Sequence, residues 1–142
     1  MSSILKEKYL DKKYEALSWE KVATAPVSAI SGVSEQDGED LKKAFGIKTI
    51  RELAVNRYVI LAQGVNSFSR ASGVIFDKTV NSKEYEELRK KPVSVIAGIS
   101  KTEAALLKRA FGIKTIQELA ENKYVSIAQT ILSLAILEEL AS

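Results

Sequence analysis

Two stretches of the chain are near copies of each other, and this duplication restricts the possible folds more than any other feature of the sequence. "GVSEQDGEDLKKAFGIKTIRELA" begins at Gly32 and "GISKTEAALLKRAFGIKTIQELA" begins at Gly98, an offset of 66 residues. The offset holds without a gap between residues 26–63 and 92–129, where 23 of 38 positions are identical. Two segments this similar predict two structural units of the same fold.

A weaker form of the repeat extends over nearly the whole chain. "YLDK" at residues 9–12 matches "IFDK" at residues 75–78 with the same offset. We therefore predict a first unit at 9–74 and a second at 75–142, preceded by an N-terminal arm at 1–8. Because a solenoid usually needs three or more repeats, we expect two small bundles packed as a pair.

Start and stop signals within each unit are those of helices. The only prolines, Pro26 and Pro92, suit the first turn of a short helix and end the segment before it. Gly46 and Gly112 can take the left-handed conformation that closes a helix. Four pairs have capping-box spacing: Ser34 with Asp37, Thr49 with Glu52, Ser100 with Glu103, and Thr115 with Glu118. No strand-like alternation of useful length occurs, so the predicted class is all-α.

Apolar residues at helical spacing predict the core. Trp19 and Tyr85 are equivalent by the offset and are expected to pack inside. The last helix of each unit carries an apolar stripe, Tyr58, Leu61, Ala62 and Val65 in the first and Tyr124, Ile127, Ala128 and Ile131 in the second.

Composition excludes most catalytic chemistry. The chain has no cysteine and no histidine, which removes disulfides, thiolate and imidazole metal sites, and the usual nucleophile and base pairs. No glycine-rich phosphate loop, paired-carboxylate signature or metal spacing is present. We therefore expect no catalytic residues, no cofactor and no metal, and a binding protein rather than an enzyme.

The ends of the chain bear on localisation. Residues 1–13 lack the apolar stretch of a secretory signal, and the run "ILSLAIL" at 131–137 is far shorter than a membrane span. The sequence thus predicts a cytoplasmic protein with no membrane partner. Its formal net charge of +3 is compatible with a nucleic-acid partner but does not require one.

The segments at residues 30–41, "ISGVSEQDGEDL", and 96–107, "IAGISKTEAALL", resemble the helix-hairpin-helix motif. The resemblance implies two tandem hairpins packed together, and many members of that family bind the DNA phosphate backbone without reading sequence. Others are protein-binding or structural. The first family glycine corresponds to Gly32 and Gly98, whereas Ser34 and Ser100 stand where the family has a second glycine.

The serine departures bear on phosphate binding. A serine at this position caps its own helix, and Asp37 or Glu103 adds a negative charge where a helix start would otherwise attract an anion. The family's small position is Gly38 or Ala104 here. Because glycine costs a helix about 1 kcal/mol relative to alanine, Gly38 suggests a close helix contact.

Charge distinguishes the two hairpins. Four acids, Glu35, Asp37, Glu39 and Asp40, crowd the first hairpin helix and would repel a phosphate. The second is more basic, so a nucleic-acid contact is expected there. The candidate residues are Gly98, Ser100, Lys101, Lys108, Arg109 and Lys114. Alternatively, the hairpin glycines form only a tight turn and the basic residues lie on a solvated helix face.

The C-terminal helix has a second apolar stripe, formed by Leu132, Ile136 and Leu140, that the first unit lacks. A helix that is apolar on two faces must be covered on two sides. We expect the N-terminal arm, with Ile4, Leu5, Tyr9 and Leu10, to cover it; the alternative is another protein chain or a second copy. Non-specific DNA binding and protein interaction or homo-oligomerisation therefore remain the two competing functions.

Overall fold

The computed structural model describes the backbone of residues 2–75 and 82–142 and the side chains of residues 6–68 and 84–142. The helices are α1 (Ser2–Tyr9), α2 (Trp19–Ala23), α3 (Glu35–Phe45), α4 (Ile50–Ala54), α5 (Arg57–Ile75), α6 (Ser82–Arg89), α7 (Lys101–Phe111), α8 (Ile116–Glu121) and α9 (Lys123–Ala141). Short 3₁₀ turns occur at Lys12–Tyr14, Val27–Ala29 and Val93–Val95. Over these ranges the chain forms only isolated β-bridges and no strand, so the all-α prediction is confirmed.

Side-chain caps set the helix starts at the predicted positions. All four capping boxes form, at the starts of α3, α4, α7 and α8. Gly46 and Gly112 end α3 and α7 with φ of 70° and 71°. Asn56 and Asn122 separate the short helices from the long ones, because each side-chain oxygen accepts two backbone N–H groups at the start of α5 or α9. The helices that begin at these caps therefore start at matching residues in both copies, although α8 ends one residue later than α4.

The packing of the long helices differs from the expected pair of bundles. Helix α5 of the first copy packs on α6 and α8 of the second, and α9 of the second copy packs on α2 and α4 of the first. Helices α3 and α7 pack against each other. Each copy thus completes the core of the other, and the buried apolar side chains of both form one cluster.

Two glutamines mark the approximate two-fold axis that relates the copies. The side-chain amides of Gln63 and Gln129, 66 positions apart, donate to each other at 2.9 Å. Gln63 also donates to the carbonyl of Ala120, and Gln129 donates to the carbonyl of Ala54. Each contact is matched by its counterpart at the same offset, as in an interface between two copies of one chain.

The N-terminal arm packs on the face of α9 that carries Ile127. Leu10 is buried and pairs with Ile30, and Lys6 donates to the carbonyl of Leu17 at 2.6 Å while lying over the ring of Trp19. A cavity of about 250 Å³ remains between the arm and α9. The arm therefore contacts a different face from the one expected.

The second apolar stripe of α9 is only partly covered. Leu132 packs against the core, but Ile136 is 46% exposed and Leu140 is 76% exposed, so the expectation that the arm covers them is wrong. The side chains of Ile4 and Leu5, part of that expectation, lie outside the described residues.

The core predictions hold except at one position. Trp19 is buried, and Tyr85 is partly buried with its ring 4.3 Å from that of Phe68. Leu61, predicted to be core, is instead 50% exposed, whereas its counterpart Ile127 packs against the core.

Helix α9 is long and apolar enough to span a membrane by length and composition, with a mean hydropathy of 1.3 over the window tested. In this fold Val125, Ala128, Ile131 and Ala135 of the helix are buried in the shared core.

Candidate nucleic-acid interface

The two predicted hairpin turns contain glycines that are covered by the opposite copy. Gly32 and Gly98 have φ of 94° and 96°, in the left-handed region where glycine is favoured. The hydroxyl of Tyr58 donates to the carbonyl of Gly98 at 3.4 Å, and that of Tyr124 donates to Gly32 in the same way. A Cβ at Gly98 would lie 2.6 Å from the Tyr58 hydroxyl. Gly98, a candidate nucleic-acid residue, is therefore covered on the side that faces Tyr58.

Ser100 is occupied by its own helix. Its amide donates to Glu103 at 2.9 Å, and its hydroxyl accepts from the Glu103 amide at 3.1 Å. The hydrogen bond from the Ser100 amide lowers the pKa of the Glu103 carboxyl. Ser34 makes the same box with Asp37, so the serine at neither turn is free to receive a phosphate.

A groove in the first copy shows where a ligand could approach these helices. It lies between the 3₁₀ turn Val27–Ala29, α3 and the start of α4, with a volume of about 640 Å³. Gly38 lines it, and no atom lies within 4 Å of a Cβ built there, so the close helix contact expected at Gly38 is wrong. The charged lining residues are Glu35, Glu39, Lys42 and Lys48.

The backbone around the corresponding place in the second copy has the same form. The 3₁₀ turns follow prolines with the same φ of −59°. Pro26 forms a β-bridge with Thr49, which caps α4, and Pro92 forms one with Thr115, which caps α8. The backbone amide of Val27 donates to the carbonyl of Lys48 at 3.2 Å, and that of Val93 donates to the carbonyl of Lys114 at 3.1 Å. Helices α3 and α7 both have 11 residues. By the repeat offset, the matching positions of the second copy are therefore expected to surround an equivalent groove, which we call the second groove.

A lysine and an alanine replace the two acids at the lining positions of the second copy. Lys101 stands at the position of Glu35 and Ala105 at that of Glu39, and the matching positions contain no acid. The lysines at these positions are Lys90, Lys101, Lys108 and Lys114, all exposed. Three of them, Lys101, Lys108 and Lys114, were predicted site residues.

Lys90 was missed by sequence reasoning. It follows α6, far from the hairpin, and matches Thr24, which lines the first groove. Its ammonium lies 3.3 Å from Glu86, so part of its charge is already balanced. The 66-residue offset matches Lys90 to Thr24, but the sequence alone does not show that Thr24 lines a groove.

Arg109 lies outside the groove, on the face of α7 that packs against α3. Its Nε donates to Oδ2 of Asp40 at 2.9 Å, and a second guanidinium nitrogen donates to Oδ1. Gln36 donates to the same carboxylate at 3.0 Å. The expectations that Arg109 binds nucleic acid and that Asp40 repels it are thus replaced by a contact between the copies.

Asp40 is fully buried yet held as a carboxylate. The hydrogen bond from Arg109, with a smaller contribution from Gln36, outweighs the desolvation of the carboxyl and lowers its pKa from 3.8 to about 2. Because the folded-state pKa is depressed, the ion pair stabilises the fold above the unfolded pKa, and this stabilisation is lost as the pH falls through about 2.

We expect Asp40→Asn to lower the melting temperature at pH 7, since it leaves Arg109 without its anion. The difference between wild type and variant should narrow as the pH is lowered from 4 towards 2, which thermal melts followed by circular dichroism will measure. Glu39→Gln, at an exposed neighbouring acid, is the matched control. Equal melting temperatures of wild type and Asp40→Asn at pH 7 would contradict the role of the pair.

No cluster of three or more acids suited to a metal occurs in the part of the chain that the structure describes. Comparison of the chain with protein families, with curated proteins and with solved structures finds no match.

Proposed function

We propose that this protein is a non-enzymatic binding module that holds the phosphate backbone of nucleic acid in the second groove without reading base sequence. The proposal rests on the repeat offset, which puts Lys90, Lys101, Lys108 and Lys114 at positions that line the groove in the first copy, with no acid at the other matching positions. The resemblance of the repeated segment to helix-hairpin-helix sequences points to the same class of ligand.

Charge decides between the two grooves. The first has two acids and two lysines on its lining, so it offers a phosphate no net attraction. The second has four lysines, and Lys101 and Lys108 lie seven residues apart on one face of α7. Phosphate neutralisation with release of counterions supplies most of the affinity in non-specific nucleic-acid binding. Only the second groove has this chemistry.

The lining also favours sequence independence. Lysine presents a flexible point charge that suits a phosphate, and the remaining matching positions include Ser94, Thr102, Ala104 and Ala105. No aromatic ring or side-chain amide stands at the lining positions to stack on or hydrogen bond with a base. Duplex DNA, which has the higher charge density, is the expected preferred form.

The test is a fluorescence-anisotropy titration with two unrelated 20-base-pair duplexes and one single strand, at 50 and 200 mM salt. With three to four phosphate contacts, the logarithm of the binding constant should fall with the logarithm of salt concentration with a slope of about −3 to −4. The two duplexes should bind equally within about twofold. Absence of binding at 50 mM salt, with a normal thermal melt, would overturn the proposal.

The exposed end of α9 favours a second candidate function. Ile136, Leu137 and Leu140 are 46%, 60% and 76% exposed and lie within two turns of one helix. Such a patch suits self-association or a protein partner. Multi-angle light scattering across a hundredfold range of concentration tests the first of these, and a constant monomer mass would contradict self-association.

A further inference from the structure

The exchange of long helices places a residue of the first copy beside the second hairpin turn. Helix α5 begins at Arg57, immediately before Tyr58, whose hydroxyl donates to the carbonyl of Gly98. A terminal nitrogen of Arg57 donates to the same hydroxyl at 2.8 Å. Arg57 is thus linked through Tyr58 to the turn that precedes Lys101.

The guanidinium of Arg57 is ordered but not neutralised. Its Cζ lies 4.8 Å from the centroid of the Tyr58 ring, and the side chain is exposed. Among the residues that the structure describes, Arg57 forms no salt bridge with an acid. One of its five N–H donors goes to Tyr58, so the others are available to an anion. Contact with the ring reduces the entropy that phosphate binding would cost, and the planar fork matches two phosphate oxygens.

The net charge is positive around the second turn and negative around the first. Arg57 and Glu103 line one cavity of about 440 Å³, and Lys101 stands two residues before Glu103, at the start of α7. The charged side chains at the second turn are Arg57, Lys101 and Glu103, and their counterparts at the first turn are Lys123, Glu35 and Asp37. The second turn therefore has two cations and one acid, whereas the first has one cation and two acids.

We infer that Arg57 completes the nucleic-acid site of the second copy by contacting the backbone phosphate next to the one that Lys101 holds. The inference rests on the proposed function and adds a residue contributed across the copies. The site is then composite, so phosphate binding depends on the packing of α5 against the second copy. Lys123, at the matching position of α9, also lies over its neighbouring ring, 5.0 Å from the centroid of Tyr124, but it faces a turn with two acids.

The experiment compares Arg57→Gln with Lys123→Gln, which remove the same charge at equivalent positions. Both are titrated with the 20-base-pair duplex at 50 and 200 mM salt, with thermal melts to verify folding. Arg57→Gln should weaken binding about tenfold at 50 mM salt and make the salt slope shallower by about 0.9, as expected for one lost contact. Lys123→Gln should change the affinity less than about twofold.

The other outcomes separate the two proposals. If Lys101→Gln weakens binding but Arg57→Gln does not, the inference about Arg57 is wrong while the proposed function stands. If Arg57→Gln and Lys123→Gln weaken binding equally, the effect is one of overall charge and the inference is again overturned. If the wild type binds no duplex at 50 mM salt, the proposed function fails and this inference fails with it.

Discussion

Replacing Lys101, Lys108 and Lys114 together by glutamine is expected to weaken duplex DNA binding about a thousandfold at 50 mM salt. Each lysine that neutralises a phosphate contributes about 0.9 to the salt slope, so each is worth about a factor of ten at that concentration. The slope itself should fall by about 2.7. Since all three side chains are exposed, the thermal melt should stay within a few degrees of that of the wild type.

The control for this variant removes the same charge elsewhere. Lys21→Gln, Lys42→Gln and Lys48→Gln together leave the second groove intact, and two of these lysines line the first groove at the positions of Lys108 and Lys114. We expect this control to lose less than about tenfold in affinity, through long-range charge alone. Equal losses in the two triple variants would show that net charge, and not the second groove, holds the nucleic acid.

Truncating Leu107 to alanine is expected to destabilise both copies at once. Leu107 is 1% exposed on α7 and belongs to the cluster shared with Leu41 on α3. A buried leucine truncation costs about 2–5 kcal/mol. Because each long helix packs on the other copy, neither copy has a complete core of its own, so unfolding should occur in one transition.

The single tryptophan makes this prediction measurable. Trp19 lies on α2 of the first copy, which packs against α9, so its fluorescence in urea reports on α2 and on this contact between the copies, while circular dichroism reports on all helices. Leu107→Ala, although in the second copy, should shift both signals to the same lower urea midpoint, and Leu41→Ala should do likewise. Ile60→Ala, at a residue 52% exposed on α5, is the control and should change stability by less than about 0.5 kcal/mol. A Trp19 transition that stays in place in Leu107→Ala would mean that the copies fold independently.

Most residues of the candidate site could be predicted from the sequence, but not which of the basic side chains face the same way. Lys101, Lys108 and Lys114 were identified from the charge difference between the copies, and the repeat offset matches them to positions of the first-copy groove or its rim. Arg109 has the same charge and lies one residue from Lys108, yet it points to the opposite copy and pairs with Asp40. Neighbours in a helix differ by 100° in direction, so charge alone does not say which of them faces a ligand.

The sequence by itself determined the local structure of this protein. Capping boxes, asparagine caps and closing glycines join residues at most a few positions apart, so their hydrogen bonds form in either copy whatever lies around it. The duplication determined that the copies share these boundaries.

Only the tertiary structure decided which copy each long helix completes. Because the copies are so similar, the apolar face of α5 matches the short helices of either copy, and no local signal distinguishes packing within a copy from exchange. The exchange brings the Tyr58 hydroxyl to the carbonyl of Gly98, 40 positions away in the sequence. Arg57, which donates to the same hydroxyl, is brought to the second turn with it. Such contacts depend on the summed burial of many side chains across the whole fold, which no short stretch of sequence encodes.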